Sequence, residues 1–164
     1  MATHRPILVR PLLVGLALAL LPACEQTINR TAEIPPPRLT MVQAGQDVVQ
    51  LHISGSYGLR ALQGQLSYDA SALKVTGVEP GKDAQRLDRV FHADPVKAAG
   101  SLVIGLSDTR RVMLPARGVL LRFHLQAAGA TGGRTTVTLD RPLGAIDGGE
   151  RVNLDATSLE VTVP

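Results

Sequence analysis

The sequence predicts an all-β fold, a sandwich of short antiparallel strands around one core. Three observations carry this. From residue 39 onward apolar residues recur at every second position, the period of a strand with one buried and one wet face. No window sustains a helical period over three turns. The sequence carries 16 glycines and 11 prolines, as expected where many short strands are joined by turns. With 2% aromatic residues and no Trp, the core is built from Val, Leu, Ile and Ala. Regular strand spacing points to a β-sandwich or jelly roll of roughly nine strands.

The chain opens on a different pattern. Arg5 and Arg10 make a positive start, and Pro11 to Leu21 is an apolar run too short to span a bilayer comfortably. Residues 1–23 therefore read as an export signal. Leu21-Pro22-Ala23-Cys24 resembles a bacterial lipobox, and Cys24 is the single cysteine. A lone cysteine in an exported chain has no disulfide partner, so the resemblance implies lipidation of Cys24. Three acyl chains, at ~0.8 kcal/mol per buried methylene, make a permanent anchor. Glu25 in the next position points to the outer membrane of a bacterial cell envelope rather than the inner one. Residues 24–38 form a lipidated Cys and a solvated linker that includes three consecutive prolines, a stiff, extended spacer.

Residues 39–164 carry the strands. Val49, Leu51 and Ile53 alternate with Gln50 and His52 up to a Ser54-Gly55-Ser56 break. Leu62, Gly64, Leu66 and Tyr68 share one face of the next strand; Ala61, Gln63, Gln65 and Ser67 share the other. Asp69-Ala70-Ser71 turns the chain, because short Asp and Ser side chains bond their own backbone. Leu73, Val75 and Val78 resume the apolar pattern, and Glu79-Pro80-Gly81 stops it. Val90-Phe91-His92 reads as a short edge strand. Leu102, Ile104 and Leu106 alternate with Val103 and Gly105, and 109–117 reads as a loop with at most one helical turn. Val119, Leu121, Phe123 and Leu125 then face the core, which puts Leu120, Arg122, His124 and Gln126 outside. Thr135–Leu139 is the next strand and Gly144–Gly149 a loop. A short strand at Val152 and Leu154 and a last one at Leu159, Val161 and Val163 close the sequence.

The run LSYDASALKVTGVEPG resembles the signature of the cohesin domain family: an aromatic-Asp turn followed by L-x-V-x-x-V-x-P-G. The likeness continues through GSLVIGL, GVLLRFHL and TTVTL, and so covers roughly residues 38 to 164. It implies a flattened nine-stranded jelly roll, related to carbohydrate-binding sandwiches, and a protein partner. Cohesins bind dockerins, small calcium-loaded helical modules, across one face of the sandwich. Part of that contact comes from the strand leading into the Tyr-Asp turn, whose outward residues here are Ala61, Gln63 and Gln65. Gln63 occupies the position, five residues before the Tyr, where the family often has Asp or Asn.

Enzyme chemistry finds no purchase in this sequence. Ser54-Gly55-Ser56-Tyr57-Gly58 lacks the G-x-S-x-G elbow and a following helix. His52, His92 and His124 lack metal-site spacing, and Asp83 and Asp88 match no calcium-loop template, so neither metal nor cofactor is expected. Once the signal is set aside, fifteen basic residues face fourteen acidic ones, which gives no basic surface for nucleic acid. A polysaccharide partner is the alternative, but sugar platforms need flat aromatic rings. The chain has only Tyr57, Tyr68, Phe91 and Phe123, two of them on core positions. Partner-binding residues are expected at Gln63 and Gln65 and at the neighbouring set Leu120, Arg122 and His124, where an outward Leu beside Arg resembles an interface. The whole reads as a non-catalytic lipoprotein that docks a dockerin-like module or an envelope assembly component.

Overall fold

The computed structural model describes residues 36–55, 58–93, 100–110, 112–146 and 148–164. Among them are ten strands and no helix: β1 (Arg38–Gln43), β2 (Val48–Ser54), β3 (Leu59–Tyr68), β4 (Leu73–Pro80), β5 (Arg89–Ala93), β6 (Ser101–Ser107), β7 (Arg117–Ala127), β8 (Arg134–Ile146), β9 (Arg151–Asn153) and β10 (Thr157–Thr162). They build two antiparallel sheets. One has the order β1-β2-β7-β4; the other has the order β10-β8-β3-β6-β5, with β9 also paired to β8. Cys24 and the signal and linker segments before residue 36 lie outside the described residues, as does Tyr57.

The alternation read from the sequence is what closes the two sheets on each other. Leu62, Leu66, Leu102, Ile104, Leu106, Val137 and Leu139 from one sheet meet Val49, Leu51, Leu73, Leu121 and Phe123 from the other. Phe123 and most of its neighbours are fully buried, each worth roughly 1.5–3 kcal/mol relative to exposure. The Tyr-Asp turn carries the chain between sheets. Asp69 Oδ1 accepts bonds from the Ser71 amide (2.9 Å) and hydroxyl (2.7 Å), and the Leu73 amide donates to the Asp69 carbonyl at 2.9 Å. The Ser71 hydroxyl, then its amide, holds the Asp69 carboxyl below its ordinary pKa.

Three bulges, besides a register shift between Leu59 and Ala61 in β3, account for where the simple two-residue period fails. In β4, Val75 lies opposite Leu125 and Gly77 opposite His124, so Thr76 is the extra residue. That extra residue lets Val75 and Val78, three apart, both pack against the core. In β7, Leu121 pairs with Leu51 and Val119 with His52, which leaves Leu120 without an opposite number. Leu120 and Leu121 therefore both turn inward and are fully buried. The expectation of an outward Leu120 is overturned: a bulge re-aims the side chains on either side of it.

Gly81 explains why the apolar run ends as it does. Its amide donates to the carbonyl of bulged Leu120 at 2.8 Å, and a Cβ there would lie 2.2 Å from the Val119 carbonyl oxygen. Two residues on, Asp83 accepts from the Val119 amide at 2.8 Å. Gly118, at φ +140, leaves the space that Asp83 fills. The Glu-Pro-Gly stop is thus the clamp on the β7 bulge.

The third bulge corrects another expectation. Gln63 pairs with Leu143 and Gln65 with Asp140, so Arg141 and Pro142 together oppose Gly64. Arg141 adopts φ 45, a left-handed conformation costing a non-glycine residue roughly 1–2 kcal/mol. The strand bends there and does not stop. β8 continues through Gly144 to Ile146, where a loop was expected, and picks up β9 on its far edge. The strands number ten where roughly nine were expected, the addition being β1, which forms a hairpin with β2. The described residues of 109–117, for their part, contain no helical turn.

The first and last strands meet at a seam between the sheets. The Gln43 side-chain amide donates to the Thr162 carbonyl (3.1 Å) and accepts from the Thr162 amide (3.0 Å). One side chain thereby reproduces the hydrogen-bond pair of a neighbouring strand.

Candidate docking faces

Each sheet turns one face inward and one outward, and the expected partner-binding residues divide between the two outer faces. Gln63 and Gln65 lie on β3 in the six-stranded sheet. Arg122 and His124 lie on β7 in the four-stranded sheet, and Leu120 lies inside. They are not neighbours and do not form one site. Strand order is what separates them, and a two-residue alternation says nothing of which strands pair.

The outer face of the six-stranded sheet has small side chains. Gln63 lies opposite Gly105, Gln65 opposite Val103 and Ser67 opposite Ser101. Gln65 Nε2 donates to Ser101 Oγ at 2.7 Å, Ser67 Oγ to Asp140 Oδ2 at 2.7 Å, and Thr138 shares a 3.0 Å bond with Ser158. Gln63 is exposed, without a hydrogen-bond partner among the described residues. Beside it Ala61, Leu143, Ala145, Ser107 and Arg151 line a shallow hollow of ≈ 260 Å³. The charged pair Arg134–Glu160 (2.8 Å) stands at the β10 margin. Val103, Gly105 and Leu143 belong to this face and were not singled out from sequence. The alternation of 101–107 gave their side of the strand, but only the register of β6 and β8 on β3 places them around Gln63.

The outer face of the four-stranded sheet is charged and internally bonded. Glu79 and Arg122 are opposite one another, with Arg122 Nη1 at 2.7 Å and His124 Nε2 at 3.2 Å from the same Glu79 Oε1. Arg122 Nε is buried without a partner. On the next strand His52 Nε2 and Gln50 Oε1 are 3.1 Å apart. Gln50, His52, Glu79, Lys82, Val119 and Arg122 surround an open hollow of ≈ 650 Å³. Both histidines are therefore committed to polar neighbours, and no cluster of metal-binding side chains occurs among the described residues.

The loop acids are structural too. Asp88 accepts from the Thr109 amide at 2.9 Å and from its hydroxyl, which holds the Asp88 carboxyl below its ordinary pKa, the hydroxyl contributing most. Asp108 accepts from the Asp88 amide at 3.2 Å, the Arg110 amide at 2.8 Å and Arg110 Nη2 at 2.7 Å. The Arg110 side chain is the main reason its pKa falls from 3.8 to about 2. These carboxylates staple the loops at 81–88 and 108–116 together.

Comparison with solved structures places this architecture. The sixth cohesin of scaffoldin B from Acetivibrio cellulolyticus, solved in complex with a Cel5 dockerin, superposes with a TM-score of 0.65 at 16% identity, covering 79% of this chain and 100% of that one. The cohesin CaCohA2 from Clostridium acetobutylicum gives 0.64 at 21% identity, over 80% and 93%. A non-cellulosomal cohesin from the archaeon Archaeoglobus fulgidus gives 0.58 at 16%, over 78% and 92%. The fold is that of the cohesin modules, a jelly-roll β-sandwich. No family model and no curated protein matches the sequence.

Proposed function

We propose that the chain is a non-catalytic docking module, held at the bacterial cell envelope by acylated Cys24, whose six-stranded face takes up a protein partner. The partner is a dockerin-like helical module or an envelope assembly component, and the membrane is the outer one. The observation that carries this is the character of the face. Around Gln63 the strands present mostly short side chains, Gly105, Val103, Ser101, Ala61 and Ala145, with Leu143 opposite Gln63 and Arg151 at the rim, so a rigid partner can approach the sheet closely there. The side chains sit on paired strands, and ordering them on binding costs little. The cohesin resemblance assigns partner contact to the strand before the Tyr-Asp turn, which is β3, and structures similar to this one include cohesins solved with dockerins.

The test is capture by the immobilised full chain, from envelope extract and from a panel of calcium-loaded dockerins. Replacing Gln63 and Val103 by Arg puts two long charges on the centre of the face and is expected to lower capture at least tenfold with an unchanged melting temperature. Retention on insoluble glycans in place of a protein, unaffected by these changes, would overturn the docking role. A Cys24→Ser chain that fractionates with lipid as the parent does would remove the anchor.

A further inference from the structure

We propose that the end of the sandwich at which β1 begins is a membrane-facing surface, resting on an anionic leaflet through Val112 and Met113 framed by Arg38, Lys82, Arg86 and Arg117. This rests on the Cys24 anchor proposed above. Strands β1, β3 and β7 begin at this end and β2, β4 and β6 finish there: Arg38 pairs with Ser54, and Ser54 with Arg117. The loops at 81–88 and 108–116 close it, with Ala84, Leu87 and Leu114 sealing the core.

Directly before buried Leu114, Val112 is 38% and Met113 55% exposed. The only other large hydrophobic residue this exposed among those described is Val42. The pair is propped outward. The Leu114 amide donates to the Leu59 carbonyl at 2.7 Å, and on the other side Arg110 is fixed by Asp108 and by the Arg86 carbonyl.

Of the acids described at this end, Asp83, Asp88 and Asp108 bond backbone amides and the Asp108 side chain is fully buried, while Glu150, in the loop after β8, is exposed. Arg38, Lys82, Arg86 and Arg117 are exposed and make no ion pair among the described residues. At the other end the loops 44–47, 69–72 and 128–133 are Ala, Gly, Ser, Thr, Gln and Asp, and the one exposed large apolar side chain described near it is the single Val42 of β1. Apolar side chains entering the headgroup layer beside cations are how peripheral surfaces bind lipid. Each Lys or Arg held near an anionic leaflet strengthens partitioning about fivefold. The thirteen residues 25–37 reach at most roughly 45 Å, so the end that receives them stays within reach of the leaflet.

The full chain carrying Met113→Cys, labelled with an environment-sensitive fluorophore, is reconstituted into vesicles containing phosphatidylglycerol or into phosphatidylcholine alone. Thr131→Cys reports the opposite end. Lipid-borne quencher is expected to quench position 113 several-fold more than position 131, in the phosphatidylglycerol vesicles only. Lys82→Glu with Arg117→Glu, or high salt, should abolish the difference. Equal quenching at both positions, quenching independent of phosphatidylglycerol, or shielding of position 113 by protein without lipid would overturn the proposal. Label taken up by the parent chain, whose one thiol is Cys24, reports separately that the anchor is missing.

Discussion

The two outer faces of this sandwich are built from the same strand pattern and finish differently. On the four-stranded sheet the longest side chains bond one another: Glu79 holds Arg122 and His124, and Gln50 holds His52. On the six-stranded sheet the one charged pair, Arg134–Glu160, stands at the margin, the bonds near the centre are those of Gln65 to Ser101 and Ser67 to Asp140, and Gln63 is left over. A face whose charged groups bond one another, Arg122 Nε excepted, presents a partner with bonds to break before most can form. A face of short side chains presents backbone shape and one amide awaiting a partner. This difference favours the six-stranded face for docking, and each of the following measurements is aimed at it.

The largest effect concerns Leu120, whose placement decides what the four-stranded face contains. Because it is buried by the bulge, Leu120→Ala is expected to cost roughly 2–5 kcal/mol in chemical denaturation. A change within about 0.5 kcal/mol, as for a surface site, would return Leu120 to the outside and make that face apolar again. A smaller effect separates the faces from the loops beneath them. The Asp108 carboxyl is depressed to about 2, so its contribution is complete above 3.8, the ordinary value, and is lost as pH falls from there through about 2. Thermal melts between pH 5 and 2 should show this loss, and Asp108→Asn should flatten that part of the profile. The smallest effect is expected at Glu79. All three members of its cluster are more than a third exposed, so Glu79→Gln should change stability by only ~0–1 kcal/mol and leave partner capture within twofold. A large loss of capture would move the docking site to the four-stranded sheet.

Much of the fold was legible because alternation is a local property. Leu62, Leu66, Ile104, Phe123 and Val137 could be assigned to the core one strand at a time. What escaped was set between strands. The bulge at Leu120 arises from its register against Leu51 and His52 and from Gly81 closing on it, none of which a run of five apolar-alternating residues records. Gly144 reads as the start of a loop, yet a left-handed Arg141 bends β8 and lets it continue. The site was legible only in halves. The parity of Gln63 and Gln65 was correct, as was that of Arg122 and His124, but pairing order put the halves on opposite sides of the molecule.

Gln43 has a consequence beyond the seam it closes. Val163 turns its amide and carbonyl toward Gly132 and Gly133, so Thr162 must turn its own toward the open margin of β10, the pair that a strand from another molecule would engage first. Sheet margins left bare are templates for polymerisation. With the Gln43 amide seated there, that rung of the ladder is already taken, and a second copy of the chain finds no free pair to engage at this point of the border.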